Sequence, residues 1–390
     1  HGIKLLVYAT PSELFWHTVD ESGEKAVFDL INYDITDAVI IHTQGIKDKE
    51  TVDSIIGKAQ AHSVPVITIG EQRPGCFGVS FNYKTGFEKI VRHVLQDHKI
   101  SNFHFIAGQK ENHFSDERQE IVQKVAQELD IPFGDEDVSY GEFWSRPTEE
   151  AVERLFTVRR RFPRAIICAN DSMAIATVNV LKKHGKRIPE DVIVTGFDGI
   201  SEIKYSIPSI TTCLCSSDHL AESITDIVME TFSGNTKPEY RLVEPELWKA
   251  ESCGCPGRSY ISPSEELAYV NNSFYRFQAE EEHMFRMISR ILECHSFSQI
   301  SELLDDHVFY DMMIAINKEC TDRTINPMER CTDRAYGENV RVIFNTTRPD
   351  SGWVDDFDPS GLRPDLEDMV NEHENPLIFF SLNYVGIPMG

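Results

Sequence analysis

The sequence predicts an α/β protein: a doubly wound, two-lobed first part, then a long helix and a smaller α+β part. Three observations predict this. Short β-branched runs alternate with helix-length amphipathic stretches up to about residue 250, a Pro/Ser/Thr-rich segment interrupts the alternation near residue 210, and a Cys/Gly/Pro-rich segment ends it near residue 255.

The strand-like runs lie at 3–8, 38–41, 64–69, 103–107, 165–169 and 192–196, and about seven strands are expected in all. Between them, stretches such as 85–97 and 172–184 repeat apolar residues at the helical period. Near-continuous apolar strands separated by helices belong to parallel sheets covered on both faces. The segment Ile207-Pro208-Ser209-Ile210-Thr211-Thr212 reads as an extended link carrying the chain back to an earlier sheet. Two such sheets facing each other form a cleft, and open α/β sheets bind ligands beyond the carboxyl ends of their strands.

Ser252-Cys253-Gly254-Cys255-Pro256-Gly257 marks a boundary. A helix follows whose apolar positions are Leu267, Val270, Phe274, Phe277, Met284, Ile288 and Ile291, with Glu281 in the one gap. That is a heptad seam with a polar register-setting position, which predicts a homodimer through 267–291. Beyond it come a helix at 300–316, a strand at 340–344 and an apolar run at 376–382. The organisation expected is therefore a ligand-binding domain over 1–252, a linker over 253–264, a signalling helix over 265–296 and a small α+β domain over 297–390, incomplete at its end.

Composition narrows the function. The chain has 390 residues, 63 acidic and 38 basic, for a formal charge of -25. Duplex DNA is bound through basic surfaces that displace counterions, so direct nucleic-acid contact by these residues is not expected. No run approaches the roughly 20 apolar residues that span a bilayer, and no charged-then-apolar leader opens the chain, which points to a cytoplasmic protein without a membrane partner. Nine cysteines, with no paired CxxC units, suggest reduced thiols and neither a metal nor a cofactor. Cys253 and Cys255 read as a tight turn at the boundary, with metal binding or a strained disulfide as the alternative. The stretch Asp356-Phe357-Asp358-Pro359-Ser360-Gly361 with Glu367 has calcium-loop spacing, but Pro359, Pro364 and Arg363 make it a solvated acidic loop. There is no Gly-x-Ser-x-Gly elbow and no phosphate-cradling Gly-x-x-x-x-Gly-Lys-Ser/Thr, so an enzyme is not expected.

Candidate site residues sit at strand ends, early in a helix after a polar loop, and in a loop before a helix. Asp198, after Gly196-Phe197, offers a carboxylate to ligand hydroxyl or amine groups. Asn170 can donate and accept, or cap the helix that follows. Arg118 can bind a carboxylate or vicinal hydroxyls, or pair with Glu117 or Glu120 at the surface. Phe143 and Trp144 precede a helix, and one of them can offer an aromatic face to a sugar or planar base while the other packs in the core.

Cys168-Ala169-Asn170-Asp171-Ser172-Met173-Ala174, then Gly185-Lys186-Arg187-Ile188-Pro189-Glu190-Asp191, then Gly196-Phe197-Asp198 resemble, in order and spacing, the effector domain of the lactose/galactose-repressor (LacI/GalR) family. The likeness extends through Pro208 and Thr211-Thr212, back through Asp116-Glu117-Arg118 and His98, and covers roughly 2–252. It implies a type I periplasmic-binding-protein-like fold and a sugar- or nucleoside-class ligand. It also assigns ligand contact to Asp198, Asn170, Arg118, an aromatic at Phe143 or Trp144, and Asn82. The family's Asp before Asn82 is Phe81 here, which weakens the sugar expectation. The family's first strand and helix and its DNA-reading helix-turn-helix have no counterpart in this sequence. The part after 252 resembles multidomain bacterial signalling proteins, with a GAF-like segment from about 297 leading to an output module such as a diguanylate cyclase, a GGDEF domain. The expected function is a small-molecule sensor signalling through a helix; the alternative is a ligand-responsive repressor.

Overall fold

A computed structural model describes residues 4–9, 25–46, 48–158, 162–235, 237–256 and 263–295, positions 299 and 303, and the strand segments 313–317, 340–345, 377–380, 383–384 and 387–388. The chain divides into two compact units, His1–Ile69 with Arg276–Gly390, and Gly70–Tyr275.

The first unit opens with β1 (Leu6–Ala9), β2 (Val39–His42), α1 (Lys49–Ala61) and β3 (Val66–Ile69). Asp48 starts α1 by accepting the Thr51 N–H at 3.2 Å, so the helix begins with one of its orphan donors satisfied. Val52, Ile55, Ile56 and Ala59 then form its buried stripe. β2 and β3 pair in parallel, with Val39 opposite Val66.

The second unit carries β4 (Phe77–Phe81), α2 (Tyr83–Arg92), β5 (Phe103–Ala107), α3 (His113–Glu128), β6 (Val138–Tyr140), α4 (Ser145–Val158), β7 (Ala165–Cys168), α5 (Asp171–Lys183), β8 (Ile193–Thr195), β9 (Thr212–Leu214), α6 (Ser217–Phe232), β10 (Tyr240–Val243) and β11 (Glu246–Trp248). Its main sheet has the order β6-β5-β7-β8, and all three pairings are parallel. The chain moves one way from β5 to β6 and the other way from β6 to β7. Right-handed crossovers therefore put α3 on one face and α4 and α5 on the other. Packing agrees: α3 lies against α2, and α4 against α5. The core between these layers holds Phe87, Phe105, Phe197, Ile106, Ile166, Ile167, Met173 and Leu181, all fully buried. Each such side chain contributes about 1.5–3 kcal/mol of transfer free energy. The reversal between β5 and β7 opens a crevice at their carboxyl ends, which is where such sheets take ligands.

The return crossing lies later than the sequence suggests. Residues 207–212 do not leave the main sheet: Thr211 bridges in parallel to Thr195, and the Ile210 N–H donates to Ile203. The chain crosses back through α6, after which β10 pairs in parallel with β4. The reason is burial, since Ile210, Thr211, Thr212 and Cys213 are almost fully enclosed and a free link would expose them.

After the second unit's last strand comes α7 (Pro263–Glu293), a 31-residue helix whose Phe277, Ile288 and Ile291 side chains are exposed. The first unit resumes with β12 (Met313–Asn317), β13 (Val340–Asn345), β14 (Leu377–Phe380), β15 (Asn383–Tyr384) and β16 (Ile387–Pro388). The helix expected at 300–316 is corrected at its end: residues 313–317 are extended and pair antiparallel with β13. The apolar Met-Ile-Ala-Ile run fits a pleated surface better than a helix face. The strand expected at 3–8 is found at Leu6–Ala9, where its partner is β14, in parallel, with Leu6 opposite Leu377. The acidic loop 356–367 lies outside the described residues. Among the described residues, no helix is long and apolar enough to cross a membrane.

Candidate ligand-binding site

The site is assembled around Arg118, one turn into α3. Asn112 caps that helix, its side-chain oxygen accepting from Phe114 at 3.0 Å and Ser115 at 3.3 Å. This start sends Arg118 inward, where only 7% of it is exposed. A guanidinium keeps its charge when buried, so it must be matched by acceptors and polarisable faces. Its Nη1 donates to the Ala169 carbonyl at 2.6 Å, just beyond β7. Its Nη2 reaches Asp198 Oδ1 at a looser 3.4 Å. The Phe197 ring centroid lies 4.7 Å from the guanidinium carbon, and those of Phe87 and Phe143 lie at 5.8 Å.

Asp198 is presented by a strained turn. Its φ is 108°, a region that residues other than glycine seldom enter, and Gly199 follows at 81°. Two contacts hold this turn. The Asp198 carbonyl accepts the Cys215 N–H at 3.0 Å, and Asp171 Oδ2 accepts the N–H groups of Gly199 at 2.6 Å and Ile200 at 3.1 Å. The Asp198 side chain remains 38% exposed. Burial of its surroundings raises the Asp198 pKa to about 6, with Arg118 pulling the other way. Burial raises Asp171 further, to about 8, and the neighbouring charge of Asp198 adds to the rise. Burial thus favours the neutral form of Asp171, and Asp198 is the carboxylate that meets Arg118.

Phe143 enters from the loop before α4 with φ 65°. Its ring lies over the backbone just after β5, where a β-carbon on Gly108 would come within 2.1 Å of it. Only glycine permits that approach. Asn170 steadies the same loop: Nδ2 donates to the Phe143 carbonyl at 3.2 Å, while Oδ1 accepts the Met173 N–H at 2.9 Å and caps α5. Arg118, Asp198, Phe143 and Asn170 therefore converge at the crevice between β5 and β7. Trp144 is the outward member of the aromatic pair, 52% exposed. Asn82 caps α2, accepting from Thr85 at 3.3 Å, and donates to Glu244 at 2.6 Å, so both ends of its amide are engaged within the protein.

Sequence reasoning missed Tyr83 and Cys215. The Tyr83 ring sits 6.3 Å from Phe197. Its phenol is pushed up to about 12 by burial and by the nearby Cys215 and Asp198. The Cys215 thiol is likewise pushed up to about 12, by burial first and Asp198 second, so it stays protonated and is a poor nucleophile. Tyr83 and Phe87 follow the Asn82 cap at helical spacing (i, i+4), which was the available signal.

Comparisons with known proteins bear on the fold and the sequence. Residues 91–253 match the family model for a periplasmic binding protein-like domain. The chain is 28% identical over 233 residues to the HTH-type transcriptional repressor PurR of Aliivibrio fischeri, covering 59% of this chain and 68% of that protein. It is 22% identical over 186 residues to the HTH-type transcriptional repressor MelR of Bacillus subtilis, covering 46% of this chain and 54% of the relative. The match thus spans between about half and two thirds of these relatives' length. Among solved structures, a LacI-family transcriptional regulator from Arthrobacter in complex with lactose superposes with a TM-score of 0.50 at 20% identity, covering 62% of this chain and 86% of that one. The lac repressor dimer bound to operator and an anti-inducer also gives 0.50, at 17% identity, covering 64% and 94%. Fold and sequence together define a periplasmic-binding-protein-like α/β domain. Its sequence is similar to that of transcriptional repressors, and its fold to that of LacI-family regulators.

The protonation of Asp171 has a direct test. Asp171→Asn keeps an oxygen for the Gly199 and Ile200 N–H groups and resembles the neutral acid. Its melting temperature should stay within a few degrees of wild type. Asp171→Ala orphans both donors, at about 1–3 kcal/mol each, and should melt clearly lower in the same thermal denaturation. Equal loss in both variants would contradict a neutral Asp171.

Proposed function

We propose that the Gly70–Tyr275 unit is the effector-binding domain of a transcription regulator, taking a small polyhydroxy ligand of the sugar or nucleoside class. The observation that carries this reading is the Arg118–Asp198 pair at the crevice between β5 and β7, with Asp198 still 38% exposed. A loose ion pair gives a ligand both a donor and an acceptor, and the Phe143 ring offers a face for its flat or apolar side. The curated relatives, transcriptional repressors and regulators by name, support regulation rather than catalysis. On this reading the protein is cytoplasmic. The ligand acts only through its different affinities for the domain's conformations.

A thermal-shift screen of mono- and disaccharides, nucleobases and nucleosides tests this reading. A ligand at 100 times its Kd adds about 2.7 kcal/mol, a shift of several degrees, and Asp198→Ala should abolish it. The pH dependence follows from the raised pKa of Asp198. Its ionised form, the better acceptor of ligand hydroxyl protons, is present above about 6 and lost as the pH falls through that value. Ligand affinity measured by calorimetry should therefore weaken between pH 7 and pH 5. A ligand whose binding ignores both Asp198→Ala and pH would contradict the assignment.

A second reading is favoured by α7. Its exposed Phe277, Ile288 and Ile291 fall on the predicted heptad seam, which suits a signalling helix that pairs with a second copy and passes the ligand's effect to an output module. In that case Phe277→Glu with Ile288→Glu should convert a dimer to a monomer in light scattering. A monomeric wild type would overturn it.

A further inference from the structure

The second unit contains a cluster of chemistry-bearing side chains that the ligand site does not use. His93 and His98 lie at the end of α2, and Cys253 and Cys255 lie just after β11. Their ligand atoms all fall within 4.8 Å of one another. His93 Nε2 is 3.4 Å from Cys253 Sγ and 3.6 Å from Cys255 Sγ. His98 Nε2 is 3.2 Å from His93 Nε2 and 3.5 Å from Cys255 Sγ.

These four separations match four of the six edges of a tetrahedron. Ligands about 2.0–2.1 Å (nitrogen) and about 2.3 Å (sulfur) from a zinc ion leave two nitrogens about 3.3 Å apart and a nitrogen and sulfur about 3.6 Å apart. We infer that His93, His98, Cys253 and Cys255 form a four-coordinate zinc site that fastens the carboxyl end of the binding domain to the end of α2.

The local backbone supports it at both ends. After Arg92 the helix widens into a turn, His93–Asp97, closed by the His98 N–H donating to the His93 carbonyl at 3.1 Å. In a regular α-helix, residues five apart diverge by roughly 140°. The wider turn brings the two imidazoles to one side, with ring centroids 4.6 Å apart. Such widened turns recur at functional sites. On the other strand of the site, Gly254 takes φ 80° between the two cysteines, a left-handed kink that turns both sulfurs toward the histidines.

Chemistry and surroundings agree. Both cysteines are free thiols. Two thiolates and two neutral imidazoles around a divalent ion sum to zero charge, which suits residues that are buried or half-buried. Ligation would release the two thiol protons. His93 Nδ1 lies 2.9 Å from Asp97 Oδ2. Donation of the Nδ1 proton to that carboxylate leaves the Nε2 lone pair facing the cluster, the arrangement that fixes histidine ligands in zinc proteins. With all four positions filled by protein, the ion is structural and has no open position for catalysis. Cys253 is the last residue of the matched binding-protein domain, and α7 starts ten residues later at Pro263. The metal would therefore lock the point from which α7 leaves.

The test uses the full chain purified under reducing conditions. Elemental analysis should find about one zinc per chain. Cobalt substitution should give the intense visible bands of a tetrahedral sulfur–nitrogen site. Cys255→Ser and His98→Gln should each lose stoichiometric metal, whereas Cys294→Ser should keep it. Asp97→Asn, at a side chain that is 55% exposed, should weaken metal affinity about 10- to 100-fold in competition with a chromophoric chelator. Removal of the metal should lower the melting temperature of wild type and leave that of Cys255→Ser unchanged. Absence of metal from the reduced wild type after zinc loading would overturn the inference. So would a metal that stays bound in folded Cys255→Ser, or a cobalt spectrum without tetrahedral intensity.

Discussion

A buried positive charge governs this domain. Arg118 cannot shed its proton, so the fold must supply what water would have given it. The Ala169 carbonyl, freed because β7 has ended, takes one N–H group at 2.6 Å. Phe197 lies beneath the guanidinium, and the turn after it delivers Asp198. Each of these partners makes its own demand. Phe143 requires a glycine at 108, and Asp198 requires its strained φ. That turn in turn requires Asp171 beneath it.

The economy of charge follows from the same constraint. Two ionised carboxylates close together in a dry place would repel each other. Burial, with the nearby Asp198 adding to it, pushes Asp171 toward the neutral acid, where it holds backbone N–H groups while Asp198 meets Arg118. One carboxylate becomes scaffold and the other stays available, half-exposed, with its Arg118 contact stretched to 3.4 Å. A site held this way needs little rearrangement to exchange that internal contact for a ligand's hydroxyl groups.

Much of this was legible in the sequence. The parallel sheet followed from apolar runs such as 165–169, because strands covered on both faces leave no polar side to write. Asp198 became a candidate because it sits where a strand ends, whereas Arg118 and Phe143 became candidates through the resemblance to the repressor family. Asn170 showed both of its possible roles, and the structure joins them: it caps α5 and holds the Phe143 loop. The return crossing was misplaced because Pro and Ser at 207–209 resemble a link, while the burial of 210–213 is a property of the packed sheet. Residues 313–317 were misread because a short apolar run satisfies helix and strand periods alike. The pairing of Cys253 and Cys255 with His93 and His98 was invisible for a different reason. About 160 residues separate the two halves, and only folding brings them together.

The most direct test of the account is hydrogen–deuterium exchange on the full chain, with and without a saturating ligand found by the thermal screen. Binding at Arg118 and Asp198 predicts slowed exchange in the peptides that contain 114–119, 141–145 and 196–200, and little change along α7 in the isolated ligand step. Protection confined to other segments, or none in these three while the ligand is bound, would contradict the site.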